Sequence, residues 1–398
     1  MSEFERLIQE LCPNGMAFDK LVNISNILYG YPCDASKFND NCTGMPLIRI
    51  RDVLAGTTNT YTTEEISEDY IISKGDLLVG MDGNFHVGNW KDNDGYLCQR
   101  VCKISSKDEQ VMLNRFLSHY LPPIMKQIEA NKLSGTVKHL LAKDINAITI
   151  PVPPLEVQRE IVRILDNFTE LTAELTAELT ARKKQYEYYR DTLLTPNTDI
   201  EWLKLGDICK LVTGATPSKT KKEYWENGTI PWMSSGEVNL KRVYSTESKI
   251  TQLGYDNAST TLVPEHSVVI ALAGQGKTRG KVAITEIELC TNQSLCSIIC
   301  KEKINYKYLY YYLDSKYNEL RTISNGDGTR GGLSLRILSP YQIPVPPIEE
   351  QKRIVDILDR FDVLCNDISA GLPAEIEARQ KQYEYYRDKL LNFKEFRV

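Results

Sequence analysis

Two glycine-rich turns carry basic and polar side chains that could bind phosphate or read base edges. The first turn, residues 80–91, offers Asp82, Asn84, His86 and Lys91. The second turn, which begins at Ala271-Leu-Ala-Gly-Gln-Gly, offers Lys277, Arg279 and Lys281. Lysine and arginine pair well with guanine and asparagine with adenine, and any of them can hold a phosphate instead. We therefore expect two hairpin tips of similar construction that recognise different chemical groups.

The second turn also resembles a Walker A loop, which would bind nucleotide phosphates. Ala271 replaces the first glycine of that motif, and residues 279–284 are predicted to form a strand. A phosphate loop must open a helix, because the helix N-terminus faces the phosphates. The pattern therefore favours a β-hairpin tip over nucleotide binding.

Patterns for catalysis and metal binding are absent from the sequence. The ten cysteines and four histidines lack the spacing of a zinc site, and packing as buried thiols is the expected role of the cysteines. The sequence has neither the Asp/Asn-Pro-Pro-Tyr/Phe motif of amino-group methylation nor a Pro-Asp…Glu-x-Lys nuclease cluster. We therefore expect the chain to catalyse nothing alone.

Composition excludes several classes of protein. The 398 residues are 42% hydrophobic and 25% charged, with a net charge of -5, which are ordinary globular values. Apolar runs fall short of the ~20 residues of a membrane span. The acidic amphipathic start lacks the features of a secretory signal, so we expect a cytoplasmic protein. Only residues 196–346 are net positive, with 18 basic and 15 acidic residues, so DNA binding would need local patches or a partner.

An internal duplication supplies the elements that position the two tips. Ile150-Pro-Val-Pro-Pro-Leu-Glu-Val-Gln158 recurs as Ile343-Pro-Val-Pro-Pro-Ile-Glu-Glu-Gln351, and both copies continue into Ile-Val-x-Ile-Leu-Asp-x-Phe. Further on, Lys184-Gln-Tyr-Glu-Tyr-Tyr-Arg-Asp191 recurs at residues 381–388. Each half is thus a variable region followed by a near-identical segment, which predicts two similar domains on two similar helices.

Each repeated segment is predicted to be a long helix. The first should run from about 154 to 194, because Pro153-Pro154 suits a first turn and apolar residues recur every three or four positions. The second contains Gly371 and Pro373, where we expect a break, with Pro373 starting a new helical segment. Matching apolar stripes favour mutual antiparallel pairing, and hence a pseudo-twofold axis, over packing of each helix on its own domain.

A short repeat lies inside the first helix. Thr172-Ala-Glu-Leu is followed directly by Thr176-Ala-Glu-Leu. One such unit changes the length of a helix by about 6 Å and its rotation by about 40°, which is comparable with one to two base pairs of B-DNA. The repeat could therefore act as a ruler, and this role is compatible with that of a simple solvated spacer.

The variable regions are predicted to be α+β domains. Short β-rich runs and glycine-rich turns precede a helix at 114–129 in the first half and at 306–320 in the second. The second of these helices contains a cluster of tyrosines, which we expect to pack in the core rather than stack on bases.

Taken together, the repeated motifs resemble those of the specificity (S) subunit of type I restriction-modification enzymes. The likeness rests on the duplicated Pro-x-Pro-Pro-hydrophobic-Glu-x-Gln and Gln-Tyr-x-Tyr-Tyr-Arg-Asp segments, the Thr-Ala-Glu-Leu repeat and the paired variable regions. It implies two α/β target recognition domains, each reading half of a split DNA sequence, and two conserved helices in an antiparallel coiled coil. The corresponding division is 1–150 for recognition domain 1, 151–195 for helical spacer 1, 196–343 for recognition domain 2 and 344–398 for helical spacer 2.

The resemblance also implies partners and cofactors. Two methylation (M) subunits and two restriction (R) subunits would join this chain on double-stranded DNA, and those partners would use S-adenosylmethionine, ATP and Mg²⁺. Individual base contacts do not transfer, because recognition domains differ among family members. Our candidate DNA-binding residues therefore rest on tip position and chemistry, and they are Asn84, His86, Lys91, Lys138, Lys277, Arg279, Lys281, Arg330 and Arg336.

Two other functions stay open. A coiled-coil scaffold without sequence readout would show no difference in affinity between DNA sequences once it is assembled with its partners. A self-sufficient nuclease or methyltransferase would need a catalytic domain, and the remaining residues leave no room for one.

Overall fold

The computed structural model describes residues 3–132, 138–195, 200–274, 278–324, 332–366 and 370–393. The chain forms two compact units, one made of residues 1–175 and 376–398 and the other of residues 176–375. This division cuts across both long helical segments instead of separating helices from domains. The predicted boundaries of the four segments therefore stay predictions.

The two halves of the chain share most of their order of elements. The first half contains α1 (Glu3–Leu11), β1 (Phe18–Lys20), α2 (Leu21–Ile24), β2 (Ser25–Tyr29), β3 (Phe38–Asn39), β4 (Met45–Ile48), β5 (Tyr61–Thr62), β6 (Ile71–Ile72), β7 (Leu77–Gly80), β8 (Val87–Asn89), β9 (Gly95–Leu97), β10 (Val101–Ser106), α3 (Asn114–Asn131), α4 (Ala142–Asn146), β11 (Thr149–Pro151) and α5 (Leu155–Leu194). The second half contains β12 (Trp202–Lys204), α6 (Leu205–Ile208), β13 (Cys209–Thr213), β14 (Ile230–Met233), β15 (Arg242–Val243), β16 (Ser248–Ile250), α7 (Gln252–Asp256), β17 (Val268–Ala271), β18 (Val282–Thr285), β19 (Cys290–Thr291), β20 (Leu295–Cys300), α8 (Tyr306–Ser315), α9 (Tyr317–Ile323), α10 (Leu335–Leu338), β21 (Gln342–Pro344), α11 (Ile348–Asn366) and α12 (Leu372–Leu390).

The sheets repeat as well, which confirms the prediction of two similar α+β domains. The order β2-β10-β7-β8 in the first unit is matched by β13-β20-β17-β18 in the second. The parallel pair of β4 with β9 is matched by β14 with β19, and the antiparallel pair of β1 with β11 by β12 with β21. One difference is that β15 adds a fifth, parallel strand beside β18.

The main core of each unit lies between its sheet and the late helix. In the first unit Phe116 and Leu117 of α3 are buried with Cys102 and Ile104 of β10. In the second, the predicted packing of tyrosines is confirmed, because Tyr308, Tyr310, Tyr311 and Tyr312 of α8 are all buried. Eight of the ten cysteines are also buried, as expected, whereas Cys42 is exposed and Cys300 half-buried.

A buried glutamine explains why the Pro-x-Pro-Pro-hydrophobic-Glu-x-Gln motif is repeated. The Gln351 amide donates to the carbonyls of Lys303 and Pro346 at 3.0 and 2.8 Å and accepts from the Asn305 N–H at 2.8 Å. Gln158 makes the same three bonds, to Val111, Pro153 and Leu113. Each glutamine therefore joins the start of a long helix to the backbone that enters the late helix of its domain.

An aspartate of the repeated Ile-Leu-Asp sequence makes the next connection. Asp166 Oδ1 lies 2.7 Å from both Arg115 Nε and His119 Nε2 of α3. Asp359 accepts from Lys307 and from the hydroxyl of Tyr311, both at 2.6 Å. The partners occupy the second and sixth positions of α3 and α8, so the two anchors have the same geometry with different side chains.

The long helices pair antiparallel within each unit. In the second unit Tyr186 and Tyr189 contact Phe361 at ring distances of 6.3 and 5.6 Å, while Leu194 shares a core with Ile354. In the first unit Phe168 stacks on Tyr386 at 5.3 Å, and Leu165 shares a core with Leu390. In both units the residue numbers rise along one helix as they fall along the other, which confirms the predicted direction of pairing.

The helix ends agree with the sequence, but the predicted apolar stripe does not hold throughout. Helix α5 spans Leu155–Leu194, and α12 begins at Leu372 beside Pro373, which confirms a break in the second helix. In the described part of the chain, Leu171, Leu175 and Leu179 of the stripe lie outside both cores. Leu171 is 44% exposed, because the cores of the two units end on either side of the Thr-Ala-Glu-Leu repeat.

Candidate nucleic-acid interface

The β7–β8 hairpin of the first unit carries its tip against the segment that follows α3. The Gly83 N–H donates to the Lys138 carbonyl at 2.8 Å, and the Leu140 N–H donates to the Met81 carbonyl at 2.7 Å. Residues 81–86 and 138–140 therefore form one surface, which we call rim 1. Two sites predicted from distant parts of the sequence, Asn84 and Lys138, come together there.

Rim 1 also holds an ion-pair cluster that the sequence did not indicate. Asp82 places one carboxylate oxygen 2.6 Å from His139 Nδ1 and the other 3.4 Å from Arg100 Nε. Arg100 has a φ of 69°, which residues with a side chain seldom adopt. No sequence pattern therefore predicts that Arg100 lies at the rim. His139 could have been noticed because it directly follows Lys138.

The predicted residues of the first unit differ in how free they are to contact a ligand. Asn84 is exposed and His86 is half-buried beside it. The Lys138 amine donates to the Glu129 carbonyl at 2.9 Å, so it stabilises the end of α3. Lys91 lies beyond the far end of β8, where its amine donates to the Ala55 carbonyl at 3.2 Å. Its placement at the tip was therefore wrong, because the strand β8 separates it from Asn84 and His86.

In the second unit, residues 272–274 and 278–281 of the β17–β18 hairpin and residues 332–333 have an equivalent arrangement. We call the surface of these described residues rim 2. The Leu333 N–H donates to the Leu272 carbonyl at 2.8 Å, as Leu140 does to Met81. Lys277 and Arg330 lie outside the described residues. The strand predicted over 279–284 begins only at Val282, because residues 278–280 form a turn.

Arg279 does not project from this tip, which corrects the expectation of an exposed basic contact. It is 6% exposed, and its Nε has no hydrogen-bond partner among the described residues. The adjacent Gly280, at a φ of 85°, faces Tyr317 and Arg321 of α9, so this turn lies beside that helix. Lys281 is half-buried, with its amine donating to Asn239 Oδ1 at 2.7 Å, whereas Arg336 is exposed on α10.

Metal and membrane features are absent from the described ranges. These ranges contain no group of three or more histidine, cysteine, aspartate or glutamate side chains that could hold a metal ion. None of the helices that the structure describes is long and apolar enough to cross a membrane.

Comparison with known families accounts for the duplicated fold. The model of the type I restriction modification DNA specificity domain matches the chain twice, over residues 14–182 and 197–378. The chain belongs to this family. Each match covers one specificity domain together with part of the repeated helical segment that follows it.

Full-length relatives are similar over most of the chain. The EcoR124I/EcoR124II specificity subunit of Escherichia coli is 38% identical over 376 residues, which are 91% of this chain and 90% of that protein. The EcoBI specificity subunit of Escherichia coli is 29% identical over 391 residues, which are 89% and 80% of the two chains.

Solved structures share the fold at low sequence identity. The S subunit of a type I restriction-modification system from M. genitalium aligns with a TM-score of 0.59 at 14% identity, over 96% of this chain and 97% of that one. A chain from a study of assembly and conformational transition of a type I system aligns with a TM-score of 0.62 at 20% identity, over 96% and 98%.

The Lys-Gln-Tyr-Glu-Tyr-Tyr-Arg-Asp segments after the two specificity domains each expose two adjacent tyrosines, and the first of each pair is the more exposed. Tyr188 is 68% and Tyr385 63% exposed. The next tyrosine in each copy, Tyr189 or Tyr386, stacks on a phenylalanine of the opposing long helix. The motif thus stacks one tyrosine on the opposing helix and leaves its neighbour the more exposed of the two, at equivalent places in the two copies.

Proposed function

We propose that the chain reads a split DNA target, with one specificity domain on each half-site, and that it holds the methylation and restriction subunits of a type I complex. The observation that carries this proposal is the repetition of one α+β domain on either side of a continuous 40-residue helix. Two copies of one reader suit a target in two parts. The long helix would then determine the number of base pairs between the parts.

The chemistry of the two rims supports separate reading. Rim 1 offers Asn84 with a histidine and arginine held by Asp82, whereas rim 2 lies in the net-positive region of the chain. Asparagine bonds best to adenine, and arginine or lysine to guanine. The same backbone construction would therefore present different donors and acceptors to the two half-sites.

The exposed tyrosines support a scaffold role. Tyr188 and Tyr385 lie in identical octapeptides, so two copies of one partner could bind them in the same way. Tyrosine is enriched among the residues that dominate protein interfaces. We propose two methylation subunits as these partners, with two restriction subunits completing the assembly.

We assign the chemical steps to the partner subunits, in the cytoplasm. S-adenosylmethionine would serve the methylation subunits, and ATP and Mg²⁺ the restriction subunits. This chain would supply geometry and base contacts and would be non-catalytic by itself. The sequence supports the assignment because it lacks the motifs of methyl transfer, nucleotide binding and DNA cleavage.

Methylome sequencing of cells that express the complete system tests the reading function. The unsubstituted chain should direct methylation to one two-part sequence, and Asn84→Ala should alter or relax one part only, by about 1–3 kcal/mol of discrimination if it reads a base. Asn26→Ala, a substitution of an exposed asparagine on β2, is the matched control. Methylation without any sequence preference would instead favour a scaffold that does not read DNA.

A further inference from the structure

A cleft of about 330 Å³ in the second unit is lined by three cationic side chains. Arg190 comes from α5, Lys241 follows a 3-10 helix over Ser235–Leu240, and Lys281 directly precedes β18. The rest of the lining is neutral apart from Asp314, and it consists of Asn239, Ser315, Asn318, Tyr317, Val238 and Val282. A small cleft with converging cations suits a phosphate group.

The lining of the cleft contains three cationic side chains and one carboxylate, that of Asp314. Asp314 lies within it, with its Oδ2 4.0 Å from Arg190 Nη1, and Asp191 lies 2.8 Å from Arg190 with an exposed carboxylate. Lys281 is turned to Asn239. Burial raises the pKa of Asp314, although Lys241, Arg190 and Lys281 act in the opposite direction. Asp362 also raises the pKa of Asp314, and the Asp314 carboxylate competes with any bound anion for these cations.

The backbone at Lys241 is held in an unusual conformation. Its φ is 62°, where glycine would be unstrained and a lysine is not. The Lys241 carbonyl accepts from the Ile284 N–H at 2.8 Å, and β15 then pairs with β18. Such strain persists only where the surroundings fix it, and it is concentrated at functional sites.

The first unit lacks this construction in the part that the structure describes. Its sheet ends at β8, without a counterpart of β15. By position in the matching helices, Pro122 replaces Asp314, whereas Arg387 corresponds to Arg190 and bonds to the following aspartate in the same way. The cleft is thus a property of the second specificity domain, which is also the only net-positive region of the chain.

We propose that this cleft holds one phosphate of the DNA backbone beside the half-site read by the second domain, through Arg190, Lys241 and Lys281. The inference rests on the proposed function, because it requires this domain to bind DNA. Lys281 also belongs to the hairpin of rim 2, which favours a DNA phosphate over an acidic side chain of a partner protein. The contact would fix the position of the domain on the duplex without reading sequence.

The test measures DNA affinity of the chain assembled with its methylation subunits, on target and scrambled duplexes, between about 50 and 200 mM salt. Lys281→Gln and Lys241→Gly remove one cation each, and the glycine keeps the positive φ. Each should weaken binding to both duplexes by about fivefold at low salt, and each should reduce the slope of log K against log salt by up to about 0.9. Lys249→Gln, at an exposed lysine of β16, is the control and should leave the slope unchanged.

The variant Asp314→Asn distinguishes an anion-binding cleft from a cleft whose side chains only stabilise the fold. It removes the competing carboxylate, so it should tighten DNA binding, whereas loss of a merely structural group would weaken it. If Lys281→Gln and Lys241→Gly had the same salt slope as Lys249→Gln while the complex still preferred its target, the phosphate site would be refuted. The proposed function would not be affected by that result. Weaker association with the methylation subunits at an unchanged DNA slope would also refute the phosphate site and would assign the cleft to a partner's acidic side chain. An unsubstituted complex that does not distinguish target from scrambled DNA would refute the proposed function itself.

Discussion

Replacing Gln351 by methionine should unfold the second unit at a markedly lower temperature. The side chain is fully buried and makes three hydrogen bonds, to Lys303, Pro346 and Asn305. Methionine is unbranched and of similar length, so the change removes the bonds while largely keeping the packing. It leaves two carbonyls and one N–H without their partner in a buried place.

The size of the effect follows from the count of bonds. A hydrogen bond contributes about 1 kcal/mol net, so the loss of three predicts a destabilisation of about 3 kcal/mol. A unit of this size loses roughly 2–4 °C of melting temperature per kcal/mol, which predicts a decrease of about 6–12 °C. Gln158→Met should have the same effect on the first unit, because its three bonds are equivalent.

Scanning calorimetry of the full chain measures both melting temperatures, and hydrogen exchange identifies which unit has opened. The control is Gln382→Met, at an exposed glutamine of the second octapeptide, which should cost less than about 0.5 kcal/mol. If Gln351→Met melted like this control, the repeated glutamine would not be a structural clamp. If Gln351→Met lowered the transition of the first unit instead, the proposed location of its effect would be wrong.

Two further predictions concern the helices. Tyr188→Ala and Tyr385→Ala should each weaken association with one methylation subunit by about tenfold. The control is Tyr244→Ala, at a tyrosine of the second domain that is 67% exposed, and it should not weaken this association. Titration curves of Tyr188→Ala and Tyr385→Ala equal to that of the control would contradict the prediction. Burial lowers the pKa of His119 below its unfolded value of 6.5, so the unfolded chain binds the proton more readily. The first unit should therefore lose stability as pH falls below about 6.5. The loss of unfolding free energy, measured above and below that pH, should be smaller in His119→Gln, and an identical loss would exclude the histidine as its cause.

Local patterns in the sequence were sufficient to predict the long helices and the duplication, whereas the helix predicted over 306–320 is divided into α8 and α9. The start of α5 and the break at Pro373 depend on proline and on apolar spacing, which act within a few residues. The role of Gln158 could not be read in this way, because two of its three partners lie about 45 residues earlier in the chain. The repeat showed that the glutamine mattered but not what it contacts.

The candidate site was less predictable because it depends on contacts between distant segments. Asn84 and Lys138 meet only because the hairpin tip pairs with the segment after α3. Arg279 was expected at an exposed tip, yet the turn that carries it lies beside α9 and its side chain is buried. Composition and spacing identify basic residues near a tip, whereas the long-range packing of that tip decides which of them face solvent.

The length of the α5 helix tests the central claim most directly. One additional Thr-Ala-Glu-Leu unit after Leu179 would lengthen the helix by about 6 Å, which is one to two base pairs at about 3.4 Å each. Methylome sequencing of cells carrying this variant should find both half-sites unchanged and the spacer between them longer by about one or two base pairs. An unchanged spacer between the same half-sites would contradict the account.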